Sequence, residues 1–376
     1  MSTIERTVDL LFVGDVCLPP PAAEHSPLAA LKASASPDTL LIANLEGTLT
    51  SCERPVAGRY AVFRDSPVAI AWFKYVDVAL LANNHTGDFG VSGATEMIHH
   101  LQTAGVVSVG YGPLRADGTL VTRITRAGLR IAIVNACCPT TNPSAFATVE
   151  SAGVAPLCAG LVAEAIRAAR EEVDLVVFCP HWGPEMQVLP TPEQIAIARW
   201  AIDAGADAVV GHHAHVIQSI EIYRGAPVLY GLGNAWFPET GWNCSDQRGL
   251  VKSKSYEISE RERLSLAVTL RACPAHARRW RFDVAAVRQL RFAASEPPSL
   301  HEVPAAVAAP GVTPLRRLLA HLLLRRLRHG GDLEYRAAMR NGRMCYWYRS
   351  LYGISGRVLL WENALMALLR KETGNE

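Results

Sequence analysis

The most constraining feature of this chain is a pattern used five times: a short apolar run that stops abruptly at ligand-type side chains. Val8–Val13 closes in Gly14-Asp15, Leu40–Ala43 in Asn44-Leu45-Glu46-Gly47, and Val76–Ala82 in Asn83-Asn84-His85-Thr86-Gly87-Asp88. Val173–Cys179 runs into Pro180-His181-Trp182-Gly183-Pro184-Glu185, and Ala208–Val210 into Gly211 followed by His212, His213 and His215. Short apolar runs bounded by Gly, Pro and Asn read as buried strands. Strands carry the core while the loops at their carboxyl ends carry sites, so these ends are expected to share one crevice.

The intervening segments read as helices, which makes the chain α/β. Gly90–Gly105 places Ala94, Met97, Ile98 and Leu101 at helical spacing and stops at Gly105. His99 and His100 lie within it and are read as solvated or packing residues. Leu129–Ala136 is a further strand, leading into Cys137-Cys138-Pro139, whose cysteines are read as structural. Leu161–Glu172 reads as a helix with a charged face. The next helix has Thr191 as N-cap, Pro192 at its first position, Gln194 three residues after the cap, and Gly205 at its end. Packing Ile195, Ala198 and Ile202 on the sheet makes a β-α-β unit, with the loops of His181 and His213 at one edge.

Neutral imidazole is the commonest protein metal ligand, and two histidines two residues apart in a loop can converge on one ion or on two neighbouring ions. His213 and His215 are therefore the leading ligand candidates, with His181 beside them; taken alone, the triplet also fits ordinary surface histidines. Asp15 is either a ligand or a helix cap, and the cap is disfavoured because Pro19-Pro20-Pro21 cannot open a regular helix. No glycine-rich phosphate loop follows any strand, which argues against a nucleotide-binding module.

Charge does not point to nucleic acid: 37 Lys+Arg against 35 Asp+Glu leave a formal net charge of +2. Nine scattered cysteines without a C-x-x-C pair suit free thiols in a reducing cytosol. The first apolar run is too short for a secretory leader, and no run approaches a membrane span, so a cytoplasmic protein is expected. Beyond Phe237, Pro238–Ser255 reads as a loop rimming the site, and Leu264–Leu270 with Trp280–Arg291 as a strand pair. Five prolines mark 295–314 as a linker between a domain over 1–294 and a helical extension over 315–376. Leu315–Arg328 is a basic amphipathic helix suited to docking on the main domain, on an anionic partner or on a membrane surface. Leu359–Arg370 is also helical in pattern.

The ordered set GDV at Asp15, NLEG at Glu46, ANNHTGD at Asn84-His85, HWGPE at His181, GHHAHV at His213 and His215, and YGLGN at Asn234 resembles the capsule-synthesis protein CapA family. That family is similar to the calcineurin-like metallophosphoesterases, and the likeness covers about Val8 to Leu250. The resemblance implies a metallophosphoesterase-like two-sheet sandwich flanked by helices, followed here by the C-terminal helical extension, with one or two divalent ions (Mn, Zn or Fe) at the strand ends. It implies Asp15 on a first metal, Glu46 in the bridging position, Asn84, His181 and His213 on a second metal, His215 returning to the first, and His85 as the catalytic imidazole. Two positions depart from the phosphoesterase pattern: Cys17 stands where a histidine is expected, and Glu46 replaces an aspartate. Both fall on the first metal.

Mixed His, Asn and carboxylate ligands suit metals that act as Lewis acids and activate water near neutral pH. The expected function is thus a metal-dependent hydrolase or transferase of poly-γ-glutamate or capsule-type biosynthesis, acting on a phosphate ester, acyl phosphate or γ-glutamyl amide. The rival is a non-catalytic accessory protein that binds an anionic polymer or a synthase partner.

Overall fold

A computed structural model describes residues 7–17, 26–59, 61–115, 118–237, 242–246, 248, 250–254, 258–274, 280–293 and 296–302. The chain divides into two compact units, Met1–Pro310 and Gly311–Glu376, and all the described residues belong to the first. The expectations for Leu315–Arg328, Leu359–Arg370 and the later part of the linker lie outside the described residues.

Two sheets carry the fold. The first contains β1 (Asp9–Val16), β2 (Leu40–Leu45), β3 (Val78–Leu80) and β4 (Val107–Val109). The second contains β5 (Val121–Arg126), β6 (Leu129–Cys137), β7 (Leu175–His181), β8 (Ala208–Val210), β9 (Ile220–Tyr223) and β10 (Ala226–Leu229). The chain then returns to the first sheet with β11 (Asn234–Trp236), β12 (Leu264–Pro274), β13 (Trp280–Ala293) and β14 (Glu296–Glu302). The strand order is β14-β13-β12-β1-β2-β3-β4 in the first sheet, with β11 also pairing β1, and β9-β10-β8-β7-β6-β5 in the second. β1, β2, β3 and β4 run parallel, as do β6, β7, β8 and β10, so their carboxyl ends fall on one side of each sheet.

Both faces of each sheet are covered, which is why these strands are near-continuous apolar runs. On the first sheet Leu11, Val13, Leu41, Ala43, Ala79 and Leu81 pack with Leu28 and Leu31 of α1 (Pro27–Ala33) and Met97 and Leu101 of α2 (Gly90–Thr103). On the second, Ala132, Val134, Val176, Phe178 and Val209 pack with Val162 and Ile166 of α3 (Ala159–Glu172) and Ala198 and Ile202 of α4 (Pro192–Ala204). The residues of opposite parity, among them Leu10, Phe12, Ile42, Ile131, Ile133, Leu175 and Val177, are equally buried. Period-two alternation leaves them for the layer between the sheets. Asn135 of β6 ties that layer, accepting from the Ala82 backbone N–H at 2.7 Å and donating to the Cys179 carbonyl at 2.7 Å.

The α4 start is the capping box its sequence predicts: the Thr191 hydroxyl accepts from the Gln194 backbone and the Gln194 side chain accepts from the Thr191 backbone. Two expectations are corrected. Pro238–Ser255 is not a plain loop: Trp242–Ser245 and Val251–Lys254 pair antiparallel. Glu296–Glu302, expected to belong to the linker, is an edge strand on β13. Its register passes from Ala293↔Glu296 to Arg291↔Ser299, so Pro297 and Pro298 together oppose Phe292 in a bulge. Proline is tolerated on edges and at bulges because no ladder donor is needed there, so the proline-rich composition misled.

Candidate metal centre

The carboxyl ends of β1, β2, β3, β7 and β8 deliver their polar residues to one buried cluster. Close backbone approach makes this possible at two glycines. A Cβ on Gly14 would lie 1.9 Å from the Gly233 carbonyl oxygen, the group that accepts the Asp15 N–H at 2.9 Å. A Cβ on Gly211 would lie 2.2 Å from the Tyr230 carbonyl oxygen and 2.4 Å from Trp182 Nε1. Past Gly211 the chain turns through two non-glycine residues with positive φ, His213 at 93° and His215 at 55°. Such conformations are costly for residues with a Cβ and concentrate at functional sites.

Asp15 is no helix cap. Its Oδ1 accepts from Asn44 Nδ2 at 2.9 Å and lies 3.1 Å from His212 Nδ1, while its Oδ2 accepts from the His213 backbone N–H at 3.2 Å. Burial pushes its pKa up, but the His212 hydrogen bond and the charges of His212 and His215 prevail and hold it below the ordinary value. Glu46 is 0% exposed and neither carboxylate oxygen has a hydrogen-bond partner. His215 Nε2 lies 3.7 Å and His181 Nε2 3.9 Å from its Oε1. Burial drives the Glu46 pKa well above the carboxylate range, opposed by His215 and reinforced by Asp15 and Glu185.

The imidazoles divide in character. Burial first, then the neighbouring rings led by His213, pushes His181 well below its ordinary value; burial and His215 bring His213 to about 3. Both therefore keep a free lone pair, the form a metal takes. Burial would lower His215 too, but Glu46, Asp15 and Glu185 raise it to about 9, helped by its hydrogen bond at 2.9 Å to Asn234 Oδ1. Asn84 Oδ1 lies 2.8 Å from His181 Nε2.

Among the described residues, three sets of side chains bring one ligand atom each within 4.8 Å of one another: Asp15, Glu46 and His215; Glu46, His181 and His213; and Glu185, His213 and His215. The donors fit a divalent cation, because the fully buried Glu46 carboxylate and His213 Nδ1 lack a hydrogen-bond partner. Buried polar groups without partners are rare unless an ion or water answers them. The six residues expected as ligands (Asp15, Glu46, Asn84, His181, His213 and His215) thus converge, with Glu46 common to two sets.

His85 sits beside them, its Nδ1 2.7 Å from Asp88 Oδ2 and its ring 4.0 Å from that of Phe63. Asp88 also accepts from Arg59 Nε at 3.1 Å and from the Phe63 backbone at 2.9 Å. The Arg59 guanidinium donates further to the carbonyls of Asn84 at 2.7 Å and Asn142 at 2.5 Å. Cys17 belongs to none of the three sets; its side chain packs with Phe237 and Ile258. Burial, then the charges of Asp65, Glu46 and Asp88, pushes its thiol pKa well above the ordinary value.

Sequence reasoning passed over Arg59, Asp88 as the partner of His85, His212 as the partner of Asp15, and Glu185. The last three stand inside the motifs themselves, so their signal was present. Arg59 lies in the aperiodic stretch Glu53–Tyr60, and nothing local marks it.

A family model described as bacterial capsule synthesis protein PGA_cap matches residues 9–239. The capsule biosynthesis protein CapA of Bacillus anthracis is 34% identical over 176 residues, 46% of this chain and 42% of that protein. A probable polyglutamine synthesis accessory protein of Mycobacterium tuberculosis is 32% identical over 257 residues, 64% of each chain. The match thus spans less than half of the Bacillus protein and under two thirds of the mycobacterial one. Among solved structures, a novel phosphatase of Mycoplasma pneumoniae is similar at 14% identity and a TM-score of 0.45, covering 83% of this chain and 100% of that one. A putative 5'-nucleotidase of Staphylococcus aureus is similar at 11% identity and a TM-score of 0.45, covering 83% of this chain and 58% of that one. Likenesses at this level add nothing to the architecture read from the chain's own sheets.

Proposed function

The chain belongs to the bacterial capsule synthesis protein PGA_cap family, and from that premise we propose that it is a metal-dependent hydrolase or transferase of capsule or poly-γ-glutamate-type biosynthesis. The substrate class is a phosphate ester, an acyl phosphate or a γ-glutamyl amide. The observation that carries the reading is Glu46: a fully buried carboxylate with neither oxygen hydrogen-bonded, facing the imidazoles of His181 and His215. An ionised carboxylate in that setting costs several kcal/mol unless a cation answers it.

Asp15, Glu46 and His215 would hold one cation, and Glu46, His181, His213 and the amide oxygen of Asn84 a second. A divalent ion there supplies a Lewis acid for the substrate oxygen and makes a water more acidic. The chain's own groups do the rest. His85, with Nδ1 against Asp88, keeps Nε2 for giving a proton to the leaving oxygen or nitrogen. Arg59 holds both the Asp88 carboxylate and the Asn84 backbone, so the proton donor and a ligand residue are fixed to one guanidinium. The buried setting, with Phe63 and Phe237 against His85 and His215, limits water and strengthens each electrostatic contact.

A second reading, a non-catalytic accessory protein that binds an anionic polymer or a synthase partner, is favoured by Cys17, which removes an imidazole from the first cation position. The mycobacterial relative's name, a probable polyglutamine synthesis accessory protein, agrees with it.

The test is metal analysis of the purified protein, of His181→Ala and of His213→Ala, with a screen of phosphoesters, acyl phosphates and γ-glutamyl peptides. Metal in the wild type that is mostly lost in both variants, with metal-dependent turnover, supports the enzyme. Equal metal content in all three removes the metal reading. Bound metal and bound poly-γ-glutamate without turnover of any substrate put the accessory protein in its place.

A further inference from the structure

Glu185 is the one exposed member of the three candidate ligand sets, and the proposed roles above leave it unused. Its set shares His213 with the Glu46–His181 set and His215 with the Asp15–Glu46 set. A cation held by Glu185 would therefore take both of its histidines from the residues of the inner sets. A position made of one exposed carboxylate and two histidines shared with the buried sets lies between solvent and the inner carboxylates.

The surroundings agree. Asp15 and Glu46 are 1% and 0% exposed, and His215 is 12% exposed on its side chain. A hydrated cation coming from solvent therefore meets Glu185 first, then His215 and His213, and the inner carboxylates last. Divalent ions shed water reluctantly, and each protein ligand gained along the way replaces a lost water. His213 Nδ1 is buried without a partner, and His213 and His215 are both held in left-handed backbone conformations with ring centroids 5.9 Å apart. Glu185 follows Gly183 and Pro184, and the Met186 N–H donates to the Ala214 carbonyl at 2.9 Å, which fastens the loop of Glu185 to the loop of the two histidines.

We propose that Glu185, with His213 and His215, is a loading site at which a divalent cation is captured from solvent and passed inward to Glu46. This rests on the metal-centre reading above. A loading ligand lowers the barrier in both directions, so its loss slows uptake and release together and leaves equilibrium binding in place. A resident ligand behaves otherwise: its loss speeds release and lowers stoichiometry or affinity.

The experiment uses the full chain stripped of metal. Mn²⁺ or Zn²⁺ is added by stopped flow while tryptophan fluorescence is followed, Trp182 being next to His181; release is driven by excess chelator, and final stoichiometry is measured by elemental analysis. Glu185→Gln is compared with wild type and with Glu150→Gln, which removes the same charge at an exposed position away from the motifs. Expected for Glu185→Gln is about tenfold slower loading, the lower end of charge-assisted capture. Release should slow to a similar degree, with unchanged stoichiometry and affinity within about twofold. Loading as fast as in wild type, a deficit equally present in Glu150→Gln, or accelerated release with lost stoichiometry each overturns the proposal. A wild-type protein that takes up no metal overturns the metal-centre reading itself.

Discussion

Glu46→Gln separates a carboxylate that is there for a cation from one that is there for the fold. The substitution keeps the shape of the side chain and removes its charge, at a position that is fully buried and lies in two of the three ligand sets. In the metal-free protein little should be lost, because neither oxygen of Glu46 has a hydrogen bond to lose. The amide oxygen of the glutamine keeps an acceptor where Oε1 now stands, 3.7 Å from His215 Nε2, whose ring is held protonated by a pKa of about 9. The metal-free melting temperature is therefore expected to stay within about 2 °C of wild type, since burial, by raising the Glu46 pKa, already disfavours its charge when no cation is present. With metal the two proteins should part. A cation that binds only the folded chain, at about 100 times its dissociation constant, adds about 2.7 kcal/mol, or roughly 5 °C for a unit of this size. Wild type should show that shift for each ion held, and Glu46→Gln should lose it because both inner sets lose their shared ligand. The assay is thermal unfolding of stripped protein over a metal titration, paired with elemental analysis. If the variant keeps the wild-type shift and stoichiometry, Glu46 is no ligand. If the metal-free variant instead loses several kcal/mol, Glu46 is a structural carboxylate and the argument from its missing partners is wrong.

His85→Ala should keep metal and fold while lowering the maximal rate about a hundredfold or more, the usual size of a general acid-base contribution, and Asp88→Asn should lower it in the same sense. Steady-state kinetics on any substrate found in the screen, with metal content measured alongside, checks both; unchanged turnover removes the assignment. Cys17→Ala should leave metal stoichiometry unaltered and cost about 1 kcal/mol of packing against Phe237 and Ile258. A fall in bound metal would show that the thiol ionises and ligates after all. Gly14→Ala forces a methyl to 1.9 Å from a backbone carbonyl, so β1 and β11 must separate; a loss of about 3 kcal/mol by chemical denaturation is expected.

The sequence determined the strands and their terminal chemistry. Apolar runs such as Leu40–Ala43 and Val173–Cys179 can do little but form buried strands, and the break from Val or Ala to Asn, Asp or His marks where each strand leaves the core. Local chemistry was equally legible at Thr191, where cap, proline and glutamine lie within four residues and answer only to their own backbone. Where a signal was compositional it failed: Pro297 and Pro298 suggested a linker, yet an edge strand with a bulge accepts both. What the sequence left open was every relation between distant segments. The pairing of His212 with Asp15, the three bonds that Arg59 makes to Asp88, Asn84 and Asn142, and the burial of Glu46 between His181 and His215 join residues tens to nearly two hundred positions apart. Hydrogen bonds and desolvation act over a few ångströms, and only the closure of one sheet against the other decides which side chains come that near. The same holds for Cys17: the resemblance puts it where a histidine is expected, and only tertiary packing sets its side chain with Phe237 and Ile258, in none of the three ligand sets.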